Sequence, residues 1–442
     1  MNMSSGKELM RRTSTVMANV IIPLLVLVAA GAVMYWRAPR LLHEPRIWAE
    51  EGTVYLAYAY NHSWLQALIA PHQGYYGLFP NVASLLALAI SGVRYAPNVT
   101  TWLAFTVQLV PVAIVVWGTS SLWERWYQRL LGVLIILLAA SSGEIWLNTI
   151  NSQFYLAIVT FLILMENLSQ TRSARRWIYR ALLLFCGLSG PVSCFLLPMF
   201  IFKAISERHR ESTLQIGILG LCVIVQGWAW WVSRSAGLTL ASRIGNLDLP
   251  SIMAVIVNRT MVAPILGQTF TGTSATWLAG IRKSSLSQFG WLSFGLGLGM
   301  AGFFSALCWR NLKRNGLILG SFLLVASLSI VTALVPPQVG KIVLVNPQAG
   351  IRYFYAPSVM FLMLLLANVQ LNMANLRKWQ TLLCIALLAV SLATGAAHYK
   401  PDIKQFMSVS WPRWEFEVYN WQVNHNYELR IWPDGWRMKL VK

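Results

Sequence analysis

Two adjacent glutamates are the side chains best suited to acid–base chemistry in this chain of 442 residues. Glu50 and Glu51 lie in the run Trp48-Ala49-Glu50-Glu51-Gly52, in a sequence that has only 15 acidic residues. A carboxylate in poorly hydrated surroundings can act as a general base, and a like-charged neighbour tends to raise the pKa of one of the pair. The alternative is a pair that only stabilises the start of a helix over residues 53–60. The spacing alone leaves both interpretations open.

Arg352 is the second candidate, because it precedes Tyr353, Phe354 and Tyr355 at the start of an apolar segment. A guanidinium can bind two phosphate oxygens at once, which suits a lipid phosphate headgroup. The alternative is a membrane anchor whose charged end reaches the interface beside an aromatic belt. Lys341 lies before it in the same polar stretch.

Three amides form a third group, Asn148, Asn151 and Gln153. Such side chains bind sugar hydroxyls, although capping of a helix end by Asn and Gln is commoner. The six histidines are scattered without HxxH or HExxH spacing, and the five cysteines form no CxxC motif. The sequence therefore predicts no metal site and no cofactor.

The elements that hold these residues must be membrane-spanning helices. Hydrophobic residues make up 56% of the chain and charged residues 11%, less than half of the share that is usual in a soluble domain. The net charge of +20 comes from short Lys and Arg clusters between apolar runs, which is typical of topology signals rather than of a nucleic-acid-binding surface. The composition predicts an all-α polytopic membrane protein and excludes a soluble enzyme with one anchor.

The apolar runs predict eleven transmembrane helices, approximately at residues 16–36, 99–119, 130–144, 152–167, 178–190, 192–205, 214–233, 289–307, 316–335, 353–371 and 380–397. The loops on the N-terminal side hold 17 of the 35 Lys and Arg residues in roughly a third of the length of the opposite loops. By the positive-inside rule, the N-terminus is then cytoplasmic and the long loops face outward. The first span has no cleavage motif near it and is expected to be retained.

Residues 1–397 are therefore predicted to form one transmembrane module, with outer loops at 37–98 and 234–288, and 398–442 to form a small outer segment. Two further apolar stretches, 79–93 and 251–267, do not fit as spans. A crossing at 79–93 would place the Arg172–Arg180 cluster outside, and 251–267 has Asn258 and Arg259 in its middle. We expect both to be helices at the outer membrane surface.

This arrangement resembles the polytopic C-superfamily of glycosyltransferases. The features that carry the resemblance are an N-in first span, a long outer loop that opens with paired acids, an interfacial helix rich in Pro and aromatic residues, and an outer C-terminal segment. The nearest likeness is to the bacterial and phage serotype-converting glucosyltransferases that modify O-antigen. The family's acidic motif falls on Glu50 and Glu51, where many relatives have an Asp that this chain lacks.

The resemblance implies that a hexose, glucose foremost, moves from a polyprenyl-phosphate donor to a lipid-linked glycan on the periplasmic side of the bacterial inner membrane. It implies that one glutamate, with Glu50 favoured, is the base, and that Arg352 and Lys341 bind the donor phosphate. Further implied partners are membrane lipids, a donor-synthesising enzyme and a donor flippase. The implied substrate-binding residues, beside the three amides, are Trp48, Tyr55, His72, Tyr75 and Tyr76.

Two other classes stay open. A polysaccharide polymerase or ligase would also use outer arginines, and the 234–288 loop has Arg234, Arg243, Arg259 and Arg282. A transporter or flippase usually has charged residues within its spans and repeated halves, and we find neither pattern in the sequence.

Overall fold

The apolar segments are helices in the computed structural model, which describes residues 20–139, 144–235, 256–267, 286–309, 311–333, 350–369, 371, 378–400 and 413–441. The α-helices are α1 Ile22–Arg37, α2 Arg40–His43, α3 Ala57–Asn61, α4 Trp64–Ile69, α5 Leu78–Trp117, α6 Trp126–Leu138, α7 Gln153–Leu164, α8 Ser173–Leu188, α9 Pro191–Cys194, α10 Leu197–Glu207, α11 Arg210–Ser235, α12 Leu286–Cys308, α13 Leu312–Ala333, α14 Arg352–Ala367, α15 Trp379–Ala397 and α16 Trp414–Val423. These ranges also contain two short antiparallel hairpins, β1 Pro71–His72 with β2 Tyr75–Tyr76 and β3 Leu429–Arg430 with β4 Arg437–Met438. Short helices of other types in the same ranges are the π-helices Glu51–Leu56 and Asn258–Val262 and the 3₁₀ helix Ile150–Ser152.

Within these ranges, three helices are long and apolar enough to cross a membrane: α5, α11 and α15. A fourth candidate is α8 together with α9 and α10, which are bent by 118° at the break between residues 188 and 191. Helices such as α1, α6 and α14 are apolar but shorter, and 16 residues reach only about 24 Å of a hydrocarbon core about 30 Å thick. The chain is thus a mostly helical protein with membrane-spanning character, and eleven spans and their orientation stay predictions.

The 79–93 stretch is helical as expected, but it is joined directly to the following span. Helix α5 runs over 40 residues and changes direction at Gly92, whose φ is 59°. A residue with a Cβ is strained at such a φ, whereas glycine adopts it readily. The sequence predicted a separate surface helix with the next span beginning at residue 99, and in the structure the helix resumes at Val93, directly after this glycine.

The second expected surface helix is packed inside the protein over residues 256–267, the part of it that the structure describes. Arg259 is 3% exposed, and its guanidinium carbon lies 4.6 Å from the centre of the Phe354 ring on α14. The charged group that argued against a span here is thus covered by an aromatic ring, and the position of this helix at the outer membrane surface stays a prediction. Residues 251–255 lie outside the described ranges.

Helices α7 and α14 form the centre of the core. The residues from Phe154 to Leu164 are all buried, and so are those from Phe354 to Ala367, because neighbouring helices cover every face of both. The rings of Phe154 and Tyr353 meet edge to face at 5.7 Å, which brings the N-terminal ends of α7 and α14 together. Gln153 and Arg352, the first residues of the two helices, therefore lie at the same end of the core.

The C-terminal segment packs on the first long loop. The Ala49 N–H donates to the Trp432 carbonyl at 2.5 Å, and the Trp432 N–H donates to the Ile47 carbonyl at 3.0 Å. Ile431 and Met438 pack against the same loop at Gly52, where a Cβ would come within 2.6 Å of the Ile47 side chain. Loop and segment form one structural unit, which restrains the residues next to Glu50.

The buried carboxylate of Glu166 binds the backbone just after the C-terminal end of α5. Glu166 is 1% exposed, and its Oε2 accepts hydrogen bonds from the Thr119 N–H at 2.7 Å and the Thr119 hydroxyl at 2.8 Å. A Cβ on Gly118 would meet Glu166 Oε1 and would lie 2.5 Å from the Ile114 carbonyl and 2.6 Å from Trp123 Nε1. Only glycine fits at this position without a shift of backbone atoms.

Candidate active site

Glu51 is a buried carboxylate that connects two loops. It is 1% exposed, and its Oε1 accepts from the Thr149 N–H at 2.9 Å and from the Thr149 hydroxyl at 2.5 Å. Its Oε2 accepts from the Trp48 N–H at 3.1 Å. Burial raises the pKa of Glu51, while the hydrogen bonds from Thr149 and Trp48 and the charge of Arg46 oppose this rise. All of these bonds fix the position of the loop, so the carboxylate has little freedom to accept a substrate proton.

Glu50 is placed differently, although it is the adjacent residue. Successive side chains on a helical backbone point about 100° apart, and Glu50 has helical φ and ψ of −65° and −22°. Its side chain is half-buried, and within the described ranges no hydrogen bond or ion pair engages its carboxylate. It interacts electrostatically with Arg352, Tyr55 and Tyr75. The structure thus distinguishes the two glutamates: Glu51 is hydrogen-bonded, whereas Glu50 interacts electrostatically with one cation and two phenols.

The backbone next to Glu50 is held in an uncommon conformation. Ala49 has a φ of 29°, which a residue with a Cβ adopts only when its surroundings enforce it. The hydrogen bond of its N–H to Trp432 supplies part of that restraint. The C-terminal segment therefore helps to aim Glu50.

Arg352 forms an ion pair that the sequence did not indicate. Its Nη1 lies 2.7 Å from Glu144 Oε1, and its backbone N–H is 3.5 Å from Glu144 Oε2. Its guanidinium carbon lies 5.1 Å from the centre of the Tyr353 ring. About a quarter of the side chain is exposed. Arg352 is therefore a positioned cation that is open on one side, rather than a freely moving anchor.

The two asparagines hold the backbone of the Glu144 turn. Asn148 Nδ2 donates to the Glu144 carbonyl at 2.9 Å, and Asn151 Nδ2 donates to the same carbonyl at 3.2 Å. Asn148 Oδ1 also accepts from the Asn151 N–H at 3.0 Å, and both residues are at most 2% exposed. Gln153 is half-buried and makes only a long bond, 3.4 Å, to the Ile150 carbonyl. The asparagines hold the turn that carries Glu144, the partner of Arg352. Of the three amides, Gln153 is the one whose side chain is partly exposed.

The aromatic residues of the first loop differ in how accessible they are. Trp48 is 6% exposed, with the Arg46 guanidinium carbon 4.2 Å from its ring centre, and Tyr76 is tied by its hydroxyl to the Leu68 carbonyl at 2.9 Å. Tyr55 is fully buried and touches the edge of the His72 ring, with ring centres 4.8 Å apart. These contacts leave little of Trp48, Tyr55 and Tyr76 for stacking on a sugar.

Tyr75 and His72 are half-buried and lie nearer to the open side. Burial raises the pKa of Tyr75, so this phenol keeps its proton and can donate a hydrogen bond. Burial, together with the charge of His62, lowers the pKa of His72 to about 4. His72 is thus neutral at neutral pH and contributes polarity but no charge.

The structure therefore brings the predicted Glu50, Tyr75 and Arg352 together. It adds Glu144 and Thr149, which sequence reasoning missed because their partners are 208 and 98 residues away along the chain. Lys341 lies outside the described residues. Among the residues that the structure describes, no three His, Cys, Asp or Glu side chains cluster as a metal site would require, and the absence of a metal site from the whole chain stays a prediction.

This arrangement suits proton transfer beside an anion. A half-buried carboxylate can accept a proton from a hydroxyl, and a guanidinium that interacts with it electrostatically can stabilise a negative charge that develops in the reaction. Comparisons of the chain with protein-family models, with curated proteins and with solved structures found no match. The chemistry of the site must therefore be argued from its own residues.

Proposed function

We propose that this protein is a membrane glycosyltransferase of the bacterial inner membrane. It transfers a hexose, with glucose as the first candidate, from a polyprenyl-phosphate donor to a lipid-linked surface polysaccharide such as O-antigen, on the periplasmic side. The observation that carries the proposal is the Glu50 carboxylate, half-buried, without a hydrogen bond from any described residue, and in electrostatic contact with Arg352. Acid–base chemistry next to a phosphate leaving group needs this combination of side chains.

In this mechanism Glu50 takes the proton of the acceptor hydroxyl as its oxygen attacks the anomeric carbon of the donor sugar. The bond from that carbon to the phosphate oxygen breaks, and the polyprenyl phosphate leaves with the electron pair. Arg352 neutralises the departing phosphate, and Glu144 keeps the guanidinium in place through the 2.7 Å ion pair. Tyr75, whose phenol stays protonated, is suited to hydrogen-bond the sugar or the phosphate.

Glu51 has a positioning role in this proposal. A base must exchange protons with its substrate, whereas Glu51 is 1% exposed and accepts three hydrogen bonds from Thr149 and Trp48. It fixes the loop on which Glu50 lies. Trp48, Tyr55 and Tyr76 support that loop from within, so we assign sugar contacts to Tyr75, His72 and Gln153.

The experiment compares the surface polysaccharide of cells that lack the gene with that of cells carrying the wild type, Glu50→Gln or Glu44→Gln. Glu44 is the matched control, because it is an exposed glutamate of the same loop whose partner Arg40 is four residues away. We expect mass spectrometry to show one additional hexose per repeat unit with the wild type and the control, and none with Glu50→Gln.

Other outcomes contradict the proposal. A change of chain length without a change in the mass of the repeat unit would indicate a polymerase or ligase. Complete loss of surface polysaccharide together with accumulation of its lipid-linked precursor would indicate a flippase. Normal hexose addition with Glu50→Gln would remove the catalytic assignment of this residue.

A further inference from the structure

Two buried arginines near the candidate active site lack a full set of partners. Arg37, the last residue of α1, is 8% exposed, and Arg46, in the loop that follows, is 6% exposed. The Nη1 atom of each is buried without a hydrogen-bond partner. Burial of an ionised group is costly unless a counter-charge and hydrogen bonds compensate for the lost water.

Both arginines contact Trp146. The Arg37 guanidinium carbon lies 4.5 Å from the Trp146 ring centre, and Arg46 Nη2 donates to the Trp146 carbonyl at 3.3 Å. Arg46 also lies 4.2 Å above the ring of Trp48. The indole Nε1 atoms of Trp48 and Trp146 are likewise buried and unpaired. Four hydrogen-bond donors without acceptors thus occur on four residues that these contacts link to one another.

The acidic residues of the described ranges do not account for this positive charge. Glu51 interacts electrostatically with Arg46, but its oxygens are engaged with Thr149 and Trp48. The ionisable groups that interact with Arg37 are tyrosines, and the Arg37 guanidinium carbon lies 4.8 Å from the ring centre of one of them, Tyr399. Glu144 is paired with Arg352. The cluster therefore has an excess of donors and positive charge.

We propose that Arg37, Arg46, Trp48 and Trp146 form a buried binding site for a phosphate-class anion, distinct from the Arg352 site. Guanidinium groups recognise phosphate oxygens with paired N–H groups, and indole N–H groups supply further donors without adding charge. Burial lowers the pKa of Arg46 to about 9 in the protein alone, and a bound anion favours its charged form. The anion is either inorganic phosphate or the headgroup of an anionic lipid. This proposal does not depend on glycosyl transfer.

The test is the melting temperature of the purified full chain in detergent, titrated at constant ionic strength with three probes. These are inorganic phosphate, a short-chain phosphatidic acid, and a zwitterionic lipid of the same chain length as the control. A ligand that binds only the folded state raises the melting temperature, and at a given concentration it does so more the more tightly it binds. A rise with phosphatidic acid alone assigns the site to a lipid headgroup, and a rise with inorganic phosphate assigns it to the free anion.

Variants test the residues. We expect Arg37→Gln and Arg46→Gln each to weaken the apparent affinity about 10- to 100-fold, as the loss of a charged hydrogen bond does. Trp146→Phe keeps an aromatic ring under Arg37 but removes the indole N–H together with the five-membered ring, so we expect a loss of about 2- to 10-fold. Arg94→Gln is the matched control, because Arg94 is exposed.

Two results would overturn the proposal. One is a wild-type melting temperature that responds to none of the anionic probes, together with an Arg37→Met variant that is more stable than the wild type, as expected when an uncompensated buried charge is removed. The other is a shift that is the same in the wild type, Arg37→Gln and Trp146→Phe, which would place the anion elsewhere.

Discussion

Replacing Glu51 by Gln should damage the stability of the protein. Glu51 accepts three hydrogen bonds, and a Gln side chain has one carbonyl oxygen and one NH₂ group. If the oxygen faces Thr149, the NH₂ group points at the Trp48 N–H, and two donors oppose each other in a buried site. Loss of a hydrogen bond to a charged group costs about 1.5–3 kcal/mol. We expect the free energy of unfolding to fall by about that amount.

The assay is denaturant unfolding in detergent micelles, followed by tryptophan fluorescence, with Glu50→Gln as the matched variant. Glu50 makes no hydrogen bond with a described residue, so its substitution should change stability by no more than about 0.5 kcal/mol. Thr149→Val then tests the partner. Combined with Glu51→Gln it should cost less than it does alone, because the Thr149 hydroxyl then loses a bond to a neutral amide oxygen instead of one to a carboxylate. We expect a coupling energy of about 0.5–3 kcal/mol.

Equal stability of Glu51→Gln and the wild type would refute this reasoning, because it would mean that the buried carboxylate does not hold the loop. Strict additivity of the two substitutions would refute the pairing with Thr149. A large loss of stability in Glu50→Gln would show that the two glutamates have been assigned the wrong roles.

Three further substitutions test other parts of the molecule. Gly118→Ala should lower the melting temperature, since its Cβ has no space, whereas Gly217→Ala, with open space around it, should leave it unchanged or raise it. Arg352→Lys should lower sugar transfer at least 10-fold because Lys cannot bind two phosphate oxygens side by side, and Arg94→Lys should not. The pKa of His72 is lowered to about 4 in the folded state, so the unfolded chain binds more protons between that pH and about 6.5. Its contribution to stability is therefore complete above pH 6.5 and lost as the pH falls toward 4, and His72→Phe should flatten this part of the pH–stability curve.

Local sequence patterns predicted the helical segments well. Apolar runs such as 214–233 and 380–397 lie within α11 and α15, because burial in lipid or in a helix core requires a continuous apolar stretch. The same patterns did not determine which helices are lipid-exposed. Helix α7 has the apolar composition of a span, yet it is 12 residues long and buried on every face, as only its tertiary neighbours could show.

The sequence could predict which residue types form the candidate site, but not which side chains contact each other there. The position of Glu50 and Arg352 in polar stretches next to apolar segments was visible in the sequence. The burial of Glu51 depends on Thr149, and the place of Arg352 depends on Glu144, and no local pattern joins residues so far apart. The burial of Arg259 could not be predicted for the same reason, since the ring of Phe354 that covers it lies 95 positions later.

The bridge between Trp48 and Trp432 has a consequence for the order in which the protein is made. The first loop leaves the ribosome roughly 400 residues before its partner, which at a synthesis rate of about 5–20 residues per second is a delay of roughly 20–80 s. During this interval Ile47 and Gly52 lack the side chains of Ile431 and Met438 that later cover them. The nascent loop therefore stays incompletely packed during this interval, and the backbone next to the candidate base Glu50 is restrained only when the last part of the described chain has been made.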